Sequence, residues 1–233
     1  MTEERGYGSG ARAVVPLAIA VGAFGVSFGV LAPAGGFDGA QAIVMSVTTF
    51  AGSAQFAAIS VLSDRGTAAA AITAALLLNA RYLPIGVTVA PSLTGGFWSR
   101  LLHAHLTVDE SWAIAAEGEG RFNPRVLFAA GAVIWLAWVV GTGLGVVFGN
   151  LIGDPNRLGF DAAFPALFLT LLVPQLRGVD VRRPLAVPSR PLLAAAGGAA
   201  IALALTPFVP AGVPIVTAVA ACAVALLPGE ARS

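Results

Sequence analysis

The sequence predicts an all-α, polytopic membrane bundle of seven to eight transmembrane segments, some short or broken, in a single transmembrane domain over residues 1–233. Three observations carry this. Mean hydropathy is +0.85. Only 11% of the residues are charged, against about 25% in soluble domains, so a water-facing surface cannot be covered. The charges also leave long uncharged runs, and about 20 apolar residues cross a bilayer core.

The elements follow in order. Residues 1–12 are polar and predict a cytoplasmic N-terminus. Ala13 to Phe37 is uncharged and too long for a signal-peptide core, so it reads as a retained first span. Run 39–63 supplies a second span. Run 66–80 continues across Arg81 to about Pro91 as a third. Stretch 97–125 is too charged for a lipid-facing span; it reads as an amphipathic, re-entrant or buried polar segment. Runs 126–153 and 162–176 supply two further spans. Run 191–229 would measure about 60 Å as one helix, twice the hydrocarbon thickness. "TPFVPAGVP" (206–214) at its middle predicts a tight hairpin between two short spans.

The arginines set orientation. Arg5 and Arg12 suggest a cytoplasmic start, and Arg177, Arg182, Arg183 and Arg190 form the densest basic loop. Both lie inside if 100–117 also crosses, which favours eight crossings and brings Arg65, Arg121 and Arg125 inside. Seven crossings plus an amphipathic segment is the alternative. "GFDGAQAIVMS" (36–46) and "GFDAAFPALFL" (159–169) each follow a long glycine-rich span, a faint echo of the internal repeats of transporters.

Three polar constellations interrupt the apolar runs. In "FAGSAQF", Gly52 and Ser53 permit close helix approach, or mark an unwound helix whose backbone binds a ligand. The Gln55 amide needs hydrogen-bond partners in hydrocarbon, from a neighbouring helix or from substrate. Phe50 and Phe56 could accept an apolar side chain. In "LLLNARYLP", Arg81 sits deep in a span, where insertion scales put the penalty at about 2.5–3.5 kcal/mol. It serves either a structural ion pair with Asp109, Glu110 or Asp161, or carboxylate binding, which its fork of donors suits. Asn79 precedes it and Pro84 can kink the helix. In "HLTVDESWAIA", Asp109 and Glu110 lie among apolar groups and His105 is one helical turn before Asp109. Such a cluster suits proton coupling, or else lies in an exposed loop. Asp161 and Pro165 fit a helix start.

Several functions are disfavoured. Net charge of +1 gives no reason to expect a nucleic-acid partner. The single cysteine, Cys222, permits no intrachain disulfide and no thiolate cluster. His103 and His105 diverge on a helix, so no metal is expected. No phosphate loop or cofactor fingerprint is present, so no cofactor is expected. A serine hydrolase built on Ser53 and a histidine lacks a flanking signature. A membrane scaffold, with the polar groups as helix-packing glue, is the alternative to transport.

"TFAGSAQFAAISVL", "LLLNARYLPIGVTVAPSL", "LTVDESWAIA" and "GFDAAFPALFLTLLVPQL", in this order and spacing, resemble the AzlC-type branched-chain amino-acid permeases (the LIV-E, YgaZ/BrnF-like group) over about residues 13–228. The resemblance implies a bacterial inner-membrane secondary exporter of valine, leucine and isoleucine, with methionine a further candidate, driven by the proton gradient in surrounding lipid. It also implies a small AzlD-type membrane partner. The matching positions are Gly52, Ser53, Gln55 and Phe56; Asn79 and Arg81; Asp109 and Glu110; and Asp161, Pro165 and Phe168. Tyr82 stands where a histidine is expected to be common. On chemistry, Arg81 would attract carboxylate, Gln55, Asn79 and the backbone near Gly52 would hold the polar ends, and Asp109 or Glu110 would take the proton.

Overall fold

The computed structural model describes residues 6–118, 120–152, 190–209, 213–218 and 221. In chain order the helices are α1 (Tyr7–Leu31, extended by a 3-10 turn Ala32–Gly35), α2 (Gly39–Thr48), α3 (Gly52–Ser63), α4 (Ala68–Asn79), α5 (Tyr82–Val89, with a 3-10 turn Ala90–Ser92), α6 (Phe97–His105), α7 (Asp109–Ala115), α8 (Pro124–Ile152), α9 (Arg190–Leu205) and α10 (Val213–Ala218). A two-stranded antiparallel ribbon, β1 (Ala116–Gly118) and β2 (Arg121–Phe122), joins α7 to α8. The all-helical membrane architecture is as predicted, short and broken segments included.

Among the described residues three stretches are long and apolar enough to cross a membrane: Tyr7–Gly35, Ala68–Ser92 and Pro124–Gly149. The first and third form the spine. A Cβ added at Gly10 would meet the Val126 carbonyl at 2.8 Å, and one at Gly25 the Trp138 carbonyl at 2.6 Å. Gly29 abuts Thr142 and Gly145 in the same way. Contacts on α8 advance as α1 advances, so the two helices run parallel. Their glycines let the backbones touch, as small residues do between membrane helices.

Run 39–63, predicted to be one span, is a helical hairpin that turns back. Asp38 caps α2: its Oδ1 accepts from Gln41 N at 2.7 Å, and Gln41 Oε1 accepts from Asp38 N at 2.9 Å. Gly39 lies against Val146 and Ser46 against Thr142, while Trp135 donates to the Val47 carbonyl. Helix α2 therefore descends α8 in the reverse direction. The chain breaks at Phe50 and Ala51, where Phe50 takes a left-handed φ of 43°. Helix α3 then climbs: Gly52 abuts Trp138, Phe56 packs edge-on to Phe28, and Ile59 lies beneath Gly35.

Stretch 97–117 does the same from the opposite side. Helix α6 rises from the level of Arg100, with His103 against Phe128 and the Leu106 carbonyl against Gly131. After the break at Leu106–Val108, α7 descends, so that Ala115 packs with Val126 and Leu127 at the start of α8. The legs α2, α3, α6 and α7 hold 10, 12, 9 and 7 residues. At about 1.5 Å per residue none reaches across a core about 30 Å thick. Of the readings open for this stretch, the re-entrant one matches, and the crossing that favoured a count of eight does not form. Between the two hairpins α4 and α5 make the one intervening crossing, from the end of α3 to the start of α8. One crossing between them is what parallel α1 and α8 require.

This arrangement corrects the placement of Arg65. It lies in the turn after α3, on the side where α1 and α8 end, whereas Arg12, Arg121 and Arg125 lie where they begin. The expected break in the last run is present: α9 ends at Leu205, and Gly197 and Gly198 face Ala221 and Ala218 beyond the turn. The echo at 159–169 lies outside the described residues.

Candidate functional site

The two hairpin tips meet near mid-span. His105 on α6 hydrogen-bonds the Val47 carbonyl through Nε2 at 3.1 Å, and its ring lies 5.9 Å from that of Phe50. Beside this junction α4 gives way to α5. Pro84 has no N–H, and Leu83 N instead bonds the Ala80 carbonyl at 3.1 Å. Arg81 sits in this break and points to both tips. Its Nη2 donates to Ser53 Oγ (3.0 Å) and Tyr82 Oη (3.2 Å), and lies 3.1 Å from Asp109 Oδ2. The pair is partly solvent-accessible, at 29% and 32%. Arg81 Nε is buried without a hydrogen-bond partner, as is Asn79 Oδ1.

These groups line a cavity of 340 Å³, within the roughly 300–1,000 Å³ of small-molecule sites. Ser53, Arg81, Tyr82, Asp109 and Glu110 form its polar wall. Leu17, Val21, Phe24, Phe50, Ile134 and Trp138 are its apolar lining. Asp109 and Glu110 occupy the first turn of α7, where the helix dipole favours negative charge. Ser111 holds that turn: its hydroxyl accepts from Val108 N at 2.9 Å and bonds the Leu106 carbonyl at 2.9 Å.

Of the residues singled out from sequence, the fold brings Gly52, Ser53, Arg81, Asp109 and Glu110 together at the cavity. Gly52 also packs on Trp138, whose ring a Cβ would meet at 2.9 Å. Gln55 is not on the wall. It is fully buried, its Oε1 accepts from Trp138 Nε1 (3.1 Å) and Ala51 N (3.3 Å), and its Nε2 donates to Ser46 Oγ (3.1 Å). Ser46 in turn bonds Thr142. The amide thus ties the first hairpin to α8. Phe56 is fully buried among Phe28 and Trp138. Asn79 is one turn before the cavity, and His105 is at the tip junction. Asp161, Pro165 and Phe168 lie outside the described residues. Among the described residues no group of histidine, cysteine and carboxylate side chains could hold a metal. Trp138, Ile134 and Phe24 were missed: each is one more apolar residue in an apolar run.

These elements define an integral membrane protein in which two opposed half-membrane hairpins meet over a charged cavity. The chain belongs to the AzlC family: the family description "AzlC protein" matches residues 16–152, which hold the spine, both hairpins and the cavity. An uncharacterized membrane protein of Archaeoglobus fulgidus is 34% identical over 81% of this chain and 80% of its own length. An uncharacterized membrane protein of Helicobacter pylori is 26% identical over 66% and 68%. The Bacillus subtilis protein named branched-chain amino acid transport protein AzlC is 28% identical over 65% and 60%. No solved structure matches.

Proposed function

We propose that this chain is a secondary transporter that exports branched-chain amino acids across the cytoplasmic membrane in exchange for protons. One observation carries the reading: Arg81, with a buried and unpartnered Nε, lines a cavity whose other lining residues are largely apolar. An unpaired buried donor costs about 1–3 kcal/mol, and a substrate carboxylate on the Nε–Nη fork removes that cost. The Bacillus subtilis relative's name supports the substrate class.

A zwitterion would enter by breaking the 3.1 Å ion pair between Arg81 and Asp109. Its carboxylate takes the guanidinium, its ammonium takes Asp109 or Glu110, and one ion pair becomes two. The branched side chain lies against Phe24, Ile134 and Trp138. Discrimination among valine, leucine and isoleucine is modest, since a methylene is worth about 1–3 kcal/mol. A proton on the carboxylate removes the partner of the ammonium. Proton and substrate therefore compete for one group, which is the logic of antiport. The Ser53 hydroxyl accepts from Arg81 and His105 bonds Val47, an arrangement that supplies no base to a serine nucleophile.

Orientation follows from charge. Over the described residues through α8, Arg12, Arg100, Arg121 and Arg125 lie on the side where α1 and α8 begin, against Arg65 on the other, which by the positive-inside rule supports reading that side as cytoplasmic. A small AzlD-type subunit is the expected partner. The test is efflux of labelled valine from proteoliposomes, with and without a pH gradient and with the small subunit added. Gradient-dependent efflux that disappears in Arg81→Ala supports the reading. A purified chain that neither binds nor moves amino acids in either format overturns it in favour of a scaffold.

A further inference from the structure

A second and larger cavity, of 660 Å³, lies between α5 and α6. We infer that it is the passage from the arginine-rich side to the Arg81 site, and that Tyr82 is the partition that closes it. This rests on the Arg81 cavity being the substrate site.

The two cavities have one lining residue in common, Tyr82. Thr107 of the larger cavity and Val108 of the smaller are consecutive in the tip of the second hairpin, so both cavities reach that tip. Gly95 and Arg100 line the end of the larger cavity that lies on the side carrying Arg121 and Arg125, and we take its mouth to be there. Its walls, Ile85, Val89 and Leu101 among them, are apolar. A cation at the mouth and aliphatic walls beyond it suit a small zwitterion with a branched side chain. Gly86, midway along α5, lines this cavity, and an added Cβ there would meet nothing within 4 Å.

Tyr82 is held shut by the residue that binds substrate. Its hydroxyl accepts from Arg81 Nη2 at 3.2 Å. A carboxylate arriving on the Arg81 fork competes for that donor and frees the phenol. Occupancy of the site is thereby tied to the position of the partition. The sequence marked Tyr82 only as a departure from an expected histidine; its place between two cavities gives it this task.

The test is side-specific thiol labelling with Cys222 replaced by alanine, in membrane vesicles of known orientation, read without any transport. Arg125→Cys reports the arginine-rich side. Gly86→Cys is expected to react with a charged, impermeant methanethiosulfonate from that side. Ser53→Cys is expected to react slowly from that side while Tyr82 is present. A partition open about 10% of the time or less gives a roughly tenfold or greater acceleration in Tyr82→Ala, with a smaller gain in Tyr82→Phe, which keeps the ring and loses the hydrogen bond. Three results overturn the inference: Gly86→Cys reacting only with a lipid-soluble maleimide, which makes the cavity a lipid cleft; reaction from the opposite side; or a Ser53→Cys rate indifferent to residue 82. Protection of Ser53→Cys by valine tests the substrate reading separately. Its absence, with the labelling pattern intact, overturns the amino acid as ligand and leaves the passage supported.

Discussion

Arg81 carries the heaviest burden of any single side chain, because its charge stands inside a crossing segment and its neighbours are few. Arg81→Lys keeps the charge but cannot span two carboxylate oxygens. Valine binding by calorimetry is expected to weaken about tenfold or more, the order of one lost charge-assisted hydrogen bond. Asp109→Asn and Glu110→Gln test proton competition. On the proposed function, valine affinity in the unaltered chain is expected to fall as pH falls, because protonation of the acids would remove the ammonium's partner, and that slope is expected to disappear in the variant lacking the coupling acid. Gln55 belongs to a different kind of test. Gln55→Leu strands Ser46, Trp138 and the Ala51 N–H, at about 1–3 kcal/mol for each buried group left unpaired. A drop of several degrees in Tm in detergent is expected, with valine affinity preserved in the fraction that remains folded. Unchanged Tm with lost affinity would return Gln55 to the cavity wall. The sequence marked Gln55, Ser53 and Arg81 alike as polar groups in apolar runs. Polarity alone cannot tell which of them face a ligand and which face each other, since both satisfy the same need for hydrogen bonds.

At the scale of elements, the break at Phe50–Ala51 and the break at Leu106–Val108 decide the architecture. The first was legible in part: small residues at Gly52 and Ser53 suggest an unwound helix. The hairpin reversal was not legible, because a run of 25 uncharged residues has the same composition whether it crosses or turns back. The left-handed Phe50 is held by its surroundings, with Gly52 seated on Trp138 and Gln55 bonded to Ala51. The spine makes its own demand. Gly25→Leu would drive a side chain into the Trp138 backbone carbonyl, and overpacking of this kind costs about 1–3 kcal/mol. Loss of thermal stability, larger than for the same change at Gly86 where the space is open, is the expected result by differential scanning fluorimetry.

For the whole molecule, parallel α1 and α8 fix how the chain threads the membrane. Cysteines at Arg65 and Arg125 are expected to label from opposite faces; labelling from one face would restore the even count of intervening crossings drawn from the sequence. The positive-inside count misplaced Arg65 because it took run 39–63 as a crossing; counting 100–117 as a second one cancelled that error and left Arg121 and Arg125 on the side of Arg12. The apolar composition, the capped start of α2 and the list of polar residues worth asking about follow from the sequence by itself, because solvation and capping are local. Which runs cross, which turn back, and which of the marked side chains share a cavity followed only from the tertiary structure. Those depend on helix against helix: the Gly25 and Gly29 contacts with α8, the seat of each hairpin on Trp138 and Gly131, and the reach of Arg81 across to Ser53 and Asp109. Contacts between residues so far apart in the chain leave no periodicity along it.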